Sequence, residues 1–254
     1  MEILILIGIA CLLFGYLFSR ASGEPAVEGK IESLIKTNTE YQLFNNLILK
    51  TLDGTTEIDH VLISPYGIFV IETKDLGGWI FGSTNQKRWT QSFRRSHGLF
   101  GTGHKNTFQF QNPLHQNYKH VKAVQNFLKV DSKSVFSVVV FTGNGEFKTD
   151  MPSNVMELHD LIPYIKSHTE KIINEARAKE ISQTLIDYVS NTPLTHDDHM
   201  SSLERNRAHP ICPKCGILMV LRTARKGPDA GASFWGCSNY PSCKTTKSVS
   251  HLGA

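Results

Sequence analysis

Four of the five cysteines, Cys212, Cys215, Cys237 and Cys243, lie close together in the C-terminal tail, and Cys11 stands alone. Cys212-Pro-Lys-Cys215-Gly is a two-residue-gap knuckle whose glycine lets the chain turn, so that both sulfurs can face one ion. Cys237 and Cys243 form a second pair with a wider gap. Four thiolates in such pairs suit tetrahedral structural zinc. Two disulfides are the alternative, which an oxidising compartment would favour. A different chemistry is suggested by Asp59, Glu72 and Lys74, three charged residues set in an apolar stretch that includes Ile58, Val61–Ile63 and Ile68–Ile71. Isolated charges in such surroundings require a reason.

That stretch is expected to be a hairpin. Thr55–Ser64 and Ile68–Lys74 are strand-like, and Pro65-Tyr66-Gly67 between them is a turn signal. With Pro65 and Tyr66 as the loop, paired residue numbers sum to 131, so Ser64 faces Gly67 and Asp59 faces Glu72. Directly opposed carboxylates repel, and a divalent cation would turn that repulsion into a binding site. Lys74, two residues beyond Glu72, projects from the same face. A bulge at Gly67 would instead turn Asp59 to the other face, leaving an ordinary hairpin with solvated charges.

Other elements must position these residues. A short helix is expected over 27–36, a strand over 43–52 and a helix opened by Pro113 and running to about Leu128, with Val121, Val124 and Leu128 on one face. Val135–Phe141 has the composition of a buried strand. Residues 157–190 suit one or two helices, and 75–112 are Gly-rich, aromatic and basic without a clear period. The assignment by domain is an anchor at 1–20, an α/β domain at 27–190, a polar linker at 191–210 and a cysteine module at 211–250.

The composition, 40% apolar and 20% charged over 254 residues, excludes a disordered or collagen-like chain. The net charge is only +4, but it is unevenly distributed. The tail from 201 onward is strongly basic, and no acidic residue occurs between Asp75 and Asp131, where eight lysines and arginines lie. Two basic surfaces point to a polyanion. At the other end, Ile3–Phe18 is an unbroken apolar run, about 24 Å long as a helix and short for a span of roughly 30 Å. Glu2 and the Ser19-Arg20-Ala21 sequence argue against a cleaved signal peptide. Basic residues follow the run and none precedes it, which places the bulk of the chain in the cytoplasm. That compartment is reducing and favours zinc over disulfides.

Glu57–Lys74, with Gly78–Gly82 (GWIFG), Trp89–Gln91 (WTQ) and Gln111–His120 (QNPLHQNYKH), resembles the nuclease-related domain family over about residues 27–145. That family is grouped with the PD-(D/E)XK nucleases, and its members commonly occur beside a transmembrane helix or a zinc ribbon. The tail resembles the four-cysteine DNA-binding ribbon of bacterial type I topoisomerases. The resemblance implies a restriction-endonuclease-like mixed sheet flanked by helices. It also implies Asp59 and Glu72 as Mg²⁺ or Mn²⁺ ligands with the Thr73 carbonyl, and Lys74 as the residue that positions or activates water. The family's Gly-x-x-Gly-Glu in the first helix becomes Gly29-Lys30-Ile31-Glu32-Ser33 here. Glu32 is the nearest equivalent of that acid, and Glu28 lies one turn earlier. Glu57 stands where glutamine is frequent.

Further candidates are Lys87, Arg88, Arg94 and Arg95 for phosphate contacts and Gln116 near the site. Phe234, Trp235 and Tyr240 are candidate stacking platforms, with packing of the ribbon core as the alternative. Gln111 is placed near the site by the resemblance, and Asn112 has two readings, site residue or helix cap. His97, His104, His115 and His120 lack regular ligand spacing and are expected at the surface or on phosphate, and Trp79 and Trp89 in the core. The expectation is a nuclease acting on DNA and anchored in a bacterial inner membrane, with a nucleic-acid-binding tether of degenerate site as the alternative.

Overall fold

The computed structural model describes residues 23–51, 54–93, 106–207, 209–226 and 229–249. The apolar run 3–18 expected as an anchor lies outside them, as do Arg94, Arg95, His97 and His104. Among the described residues, no helix is long and apolar enough to cross a membrane. The chain divides into two compact units, one of residues up to 47 with 58–191, the other of 48–57 with 192 onward.

The first unit is built on a five-stranded sheet of order β1 (Gln42–Thr51), β2 (Gly54–Ser64), β3 (Gly67–Lys74), β7 (Val135–Phe141) and β9 (Val155–Glu157). β2 and β3 are antiparallel, whereas β3, β7 and β9 run parallel. β7 is an interior strand between β3 and β9, covered on both faces, which is why its sequence is apolar without alternation. Helix α1, helical over 23–37, and α3 (Leu161–Ser167) cover one face. There Val27, Ile31, Leu34, Leu62, Phe69, Ile71, Val138, Val140, Leu161 and Ile165 form a buried cluster. Burying each such side chain contributes about 1.5–3 kcal/mol. At the turn, Gly67 has φ +141°, and a Cβ there would meet the Phe136 ring at 2.4 Å. Glycine is therefore required at that position.

The opposite face carries α2 (Pro113–Leu128) and a second sheet of order β6 (Asn106–Gln111), β5 (Arg88–Phe93), β4 (Gly78–Phe81) and β8 (Gly145–Phe147). Val139, Phe141 and Val155 pack there against Ile80 and Trp89. The Trp89 and Phe141 rings are stacked, with centroids 6.3 Å apart. Trp89 is thus a core residue, as expected, whereas Trp79 is only partly buried. Asn112 caps α2 by accepting from the Leu114 N–H, Pro113 opens the helix, and Lys129 ends it in the left-handed conformation. α4 (Glu175–Asn191) completes this unit.

No period is evident in the sequence of 75–112, yet three strands lie there among the described residues. They are four to six residues long. Their alternation is hidden because Gln91 is buried while Phe81, Phe93 and Phe108 are exposed. The segment 191–210, expected as a linker, carries helix α5 (His196–Arg207). The second unit also holds a three-stranded antiparallel sheet, β10 (Met219–Thr223), β11 (Ser233–Cys237) and β12 (Thr246–Ser248).

Candidate functional site

The β2–β3 ladder has the register of a two-residue turn, from Ser64↔Gly67 to His60↔Ile71. The next pair would be Asp59 and Glu72, and here β2 leaves β3. In place of a ladder bond, the Asp59 carboxylate accepts the Thr73 N–H at 2.7 Å. Both acids are deeply buried, Asp59 at 8% exposure and Glu72 at 2%. Glu72 sits 2.5 Å from the Lys74 ammonium. Lys74 also donates to Gln116 Oε1 at 3.1 Å, and His120 Nε2 lies 3.5 Å from the second oxygen of Glu72. The two carboxylates thus have separate compensation, a backbone N–H for one and a cation for the other. Such charge-assisted bonds relieve the repulsion that the opposed pair would otherwise feel.

Gln116 and His120 are one turn apart on α2 and reach Lys74 and Glu72 respectively. Asn117 anchors this helix, its amide donating to the carbonyls of Val70 and Val138, both at 2.9 Å. His120 was expected at the surface and is instead buried beside Glu72. The signal was present, because Gln116, Asn117 and His120 continue the stripe of Val121 and Val124 toward the helix N-terminus. His115 is exposed and binds the Thr84 carbonyl. Asn112 acts as a cap and donates to the carbonyls of Ser83, Thr84 and Gln86. Gln111 is exposed at the end of β6.

The first-helix acid requires a correction. Glu32 is exposed, so it is not the acid that turns toward the sheet. Glu28, one turn earlier, accepts the Asn45 amide at 2.6 Å, and Asn45 Oδ1 meets His60 Nδ1 at 2.8 Å. His60 alternates with Asp59 along β2, so this chain serves the α1 face, opposite to that of Glu72. Burial pushes the His60 pKa down to about 4, so its ring is neutral at neutral pH. Glu57, two residues before Asp59, meets His196 Nδ1 at 3.0 Å. Lys87 and Arg88 are exposed, and the Arg88 guanidinium donates to the Gln109 carbonyl.

In the second unit the Sγ atoms of Cys212, Cys215, Cys237 and Cys243 all lie within 4.8 Å of one another. Cys212 and Cys243 are 3.8 Å apart, and Cys215 and Cys237 are 3.3 Å apart. Sulfurs about 2.3 Å from a tetrahedral zinc would be about 3.8 Å apart, so the set fits that ion. Burial would raise the Cys212 thiol, but the N–H groups of Cys215 and Lys214 bring it down to about 6. Burial pushes Cys237 up to about 12. Four thiolates so enclosed require a cation to hold their charge. Trp235 packs on this cluster and against the His209 ring, whereas Tyr240 is exposed with the Arg222 guanidinium 5.6 Å above its ring. Phe234 is partly buried in β11.

Residues 19–142 match the nuclease-related domain, and residues 210–251 match the topoisomerase DNA-binding C4 zinc finger. An uncharacterised protein of Bacillus anthracis is 31% identical over 169 residues, covering 65% of this chain and 74% of that protein. DNA topoisomerase 1 of Archaeoglobus fulgidus is 30% identical over 118 residues, covering 45% of this chain but 17% of the enzyme. DNA topoisomerase 1 of Methanocaldococcus jannaschii is 38% identical over 50 residues, covering 20% of this chain and 6% of that enzyme. No solved structure gives a significant match. Matches to the domain and to the ribbon, with a relative aligned over most of its own length, make this chain a member of the nuclease-related domain family that carries a topoisomerase-type four-cysteine zinc ribbon.

Proposed function

We propose that this protein is a metal-dependent nuclease that hydrolyses DNA phosphodiester bonds and holds nucleic acid through its ribbon. The reading is supported chiefly by one observation: where β2 leaves β3 there are two buried acids, Asp59 bound to the Thr73 N–H and Glu72 bound to Lys74. Asp59, Glu72 and the Thr73 carbonyl are hard oxygen donors of the kind that Mg²⁺ or Mn²⁺ takes. Such an ion polarises the phosphate and lowers the pKa of bound water. Lys74, which here pairs with Glu72, would offset negative charge developing on the phosphate. Gln116 holds Lys74 on this face, and His120 orients Glu72. Lys87 and Arg88 contact the backbone, which positions the strand without reading its sequence. The restriction-endonuclease-like architecture belongs to the same reading. So does the tether: residues 3–18 anchor the chain in a bacterial inner membrane, with the bulk of it cytoplasmic.

A non-catalytic tether is the second reading, favoured by the exposure of Glu32, the nearest equivalent of the first-helix acid. Incubating the full chain with supercoiled plasmid and Mg²⁺ separates the two. The nuclease reading requires nicking that disappears in Asp59→Asn while DNA binding persists. Binding without cleavage by the unaltered protein supports the tether.

A further inference from the structure

The second sheet carries an aromatic stripe that begins in the core and ends in solvent. Trp89↔Phe110, Gln91↔Phe108 and Phe93↔Asn106 are alternate cross-strand pairs of β5 and β6, so Trp89, Phe110, Phe108 and Phe93 share one face. Trp89 is fully buried beneath Phe110, the two rings meeting edge to face at 6.2 Å. Phe93 and Phe108 meet in the same way at 6.2 Å, yet they remain 40% and 49% exposed. Apolar rings held rigidly at the surface are unusual unless something covers them.

Their place suggests what does. The Gln91 amide donates to the Gly77 carbonyl at 2.8 Å, and Phe93 packs on Gly78, where a Cβ would meet its ring at 3.0 Å. Gly78 also has φ +77°. Gly77 follows Lys74 by three residues, a reach of at most about 11 Å. The segment on which Phe93 packs is thus joined to Lys74 by only three or four residues of chain. The aromatic pair also belongs to the stretch of sequence between Asp75 and Asp131 that has eight lysines and arginines and no acid, a composition that suits a polyanion.

We propose that Phe93 and Phe108 form a stacking ledge for an unpaired base of the bound strand, which makes single-stranded or locally opened nucleic acid the preferred substrate. This rests on the nuclease reading and names its substrate class. Base–aromatic stacking is independent of sequence, because every base has a π face, whereas a paired base in a duplex cannot lie on the ledge without being extruded.

The test uses the full chain without added divalent cation, so that binding is read apart from cleavage. A single-stranded oligonucleotide carrying 2-aminopurine is compared with the same sequence as a duplex. The unaltered protein should quench the probe in the single strand. Phe108→Ala should abolish that quenching and weaken single-strand binding about 5- to 100-fold, leaving duplex affinity within about twofold. Phe93→Leu keeps an apolar side chain on Gly78 while removing the ring, so it decides the matter if Phe108→Ala does not fold. Unchanged quenching and affinity in these variants would give the ledge another occupant and overturn the proposal, as would equal losses on single strand and duplex. The nuclease reading stands or falls separately, on whether Asp59→Asn abolishes Mg²⁺-dependent cleavage.

Discussion

In the ribbon, Cys212, Cys237 and Cys243 are themselves the buried core, joined by Met219 and partly by Trp235. In the hairpin, Asp59 and Glu72 sit at the end of strands already buried by Val61, Leu62, Ile63, Ile68, Phe69, Val70 and Ile71. The first group of ligands must bind metal for its surroundings to fold. The second lies in a scaffold that packs without metal, and its acids are held meanwhile by Lys74, His120 and the Thr73 N–H. A closed thiolate site is a structural device. Oxygen donors at a strand end, on the proposed reading, would take a hard cation that can exchange.

The largest effect should come from the ribbon. Removing zinc with a chelator, or replacing Cys237 by Ser, forfeits an apparent binding energy on the order of 10 kcal/mol that is also folding energy. Limited proteolysis should then cleave within 209–249 while the α/β unit resists. Zinc content near one per chain in the unaltered protein, falling to none in Cys237→Ser, is the accompanying check. In the α/β unit the strongest single perturbation is apolar. Trp89→Ala should cost about 3–5 kcal/mol in urea unfolding and leave zinc content unchanged.

Acid sharpens the contrast further. His60 is depressed to about 4 by burial, against about 6.5 when unfolded. Its neutral form therefore supports the fold fully above pH 6.5, and that support is lost as pH falls from 6.5 toward 4. The loss amounts to roughly 3 kcal/mol. Denaturation of the α/β unit followed against pH should show this slope, and His60→Phe should flatten it. Asn117→Leu should cost about 1–3 kcal/mol, since it leaves the Val70 and Val138 carbonyls without their donor. Asp59→Asn should change stability least, because the asparagine oxygen can still accept the Thr73 N–H, and yet it should remove all cleavage.

How far the sequence could be read follows the same division. The Ser-Pro-Tyr-Gly turn determined the hairpin register from Ser64↔Gly67 to His60↔Ile71, because a tight turn leaves few registers, and the ladder ends one pair short of Asp59 and Glu72. The cysteine spacing gave the ribbon ligands for the same local reason. The start of α1 is illegible in the sequence, because the helix begins by residue 23, within a small-residue stretch that reads as a linker. His120 was hidden by tertiary context, since only the packing of α2 on β3 shows that its stripe faces an acid. The strands of 78–111 were lost because their exposed positions are aromatic and one buried position is glutamine.

We propose that Asp59 and Glu72 form an exchangeable site for a hard cation, distinct from the closed thiolate site. Titration of the zinc-loaded full chain with Mn²⁺, followed by electron paramagnetic resonance, tests it most directly. The account requires one Mn²⁺ bound per chain in the unaltered protein. That binding should be lost in both Asp59→Asn and Glu72→Gln, with zinc content unchanged. Mn²⁺ binding that survives both substitutions, or none in the unaltered protein, would contradict it.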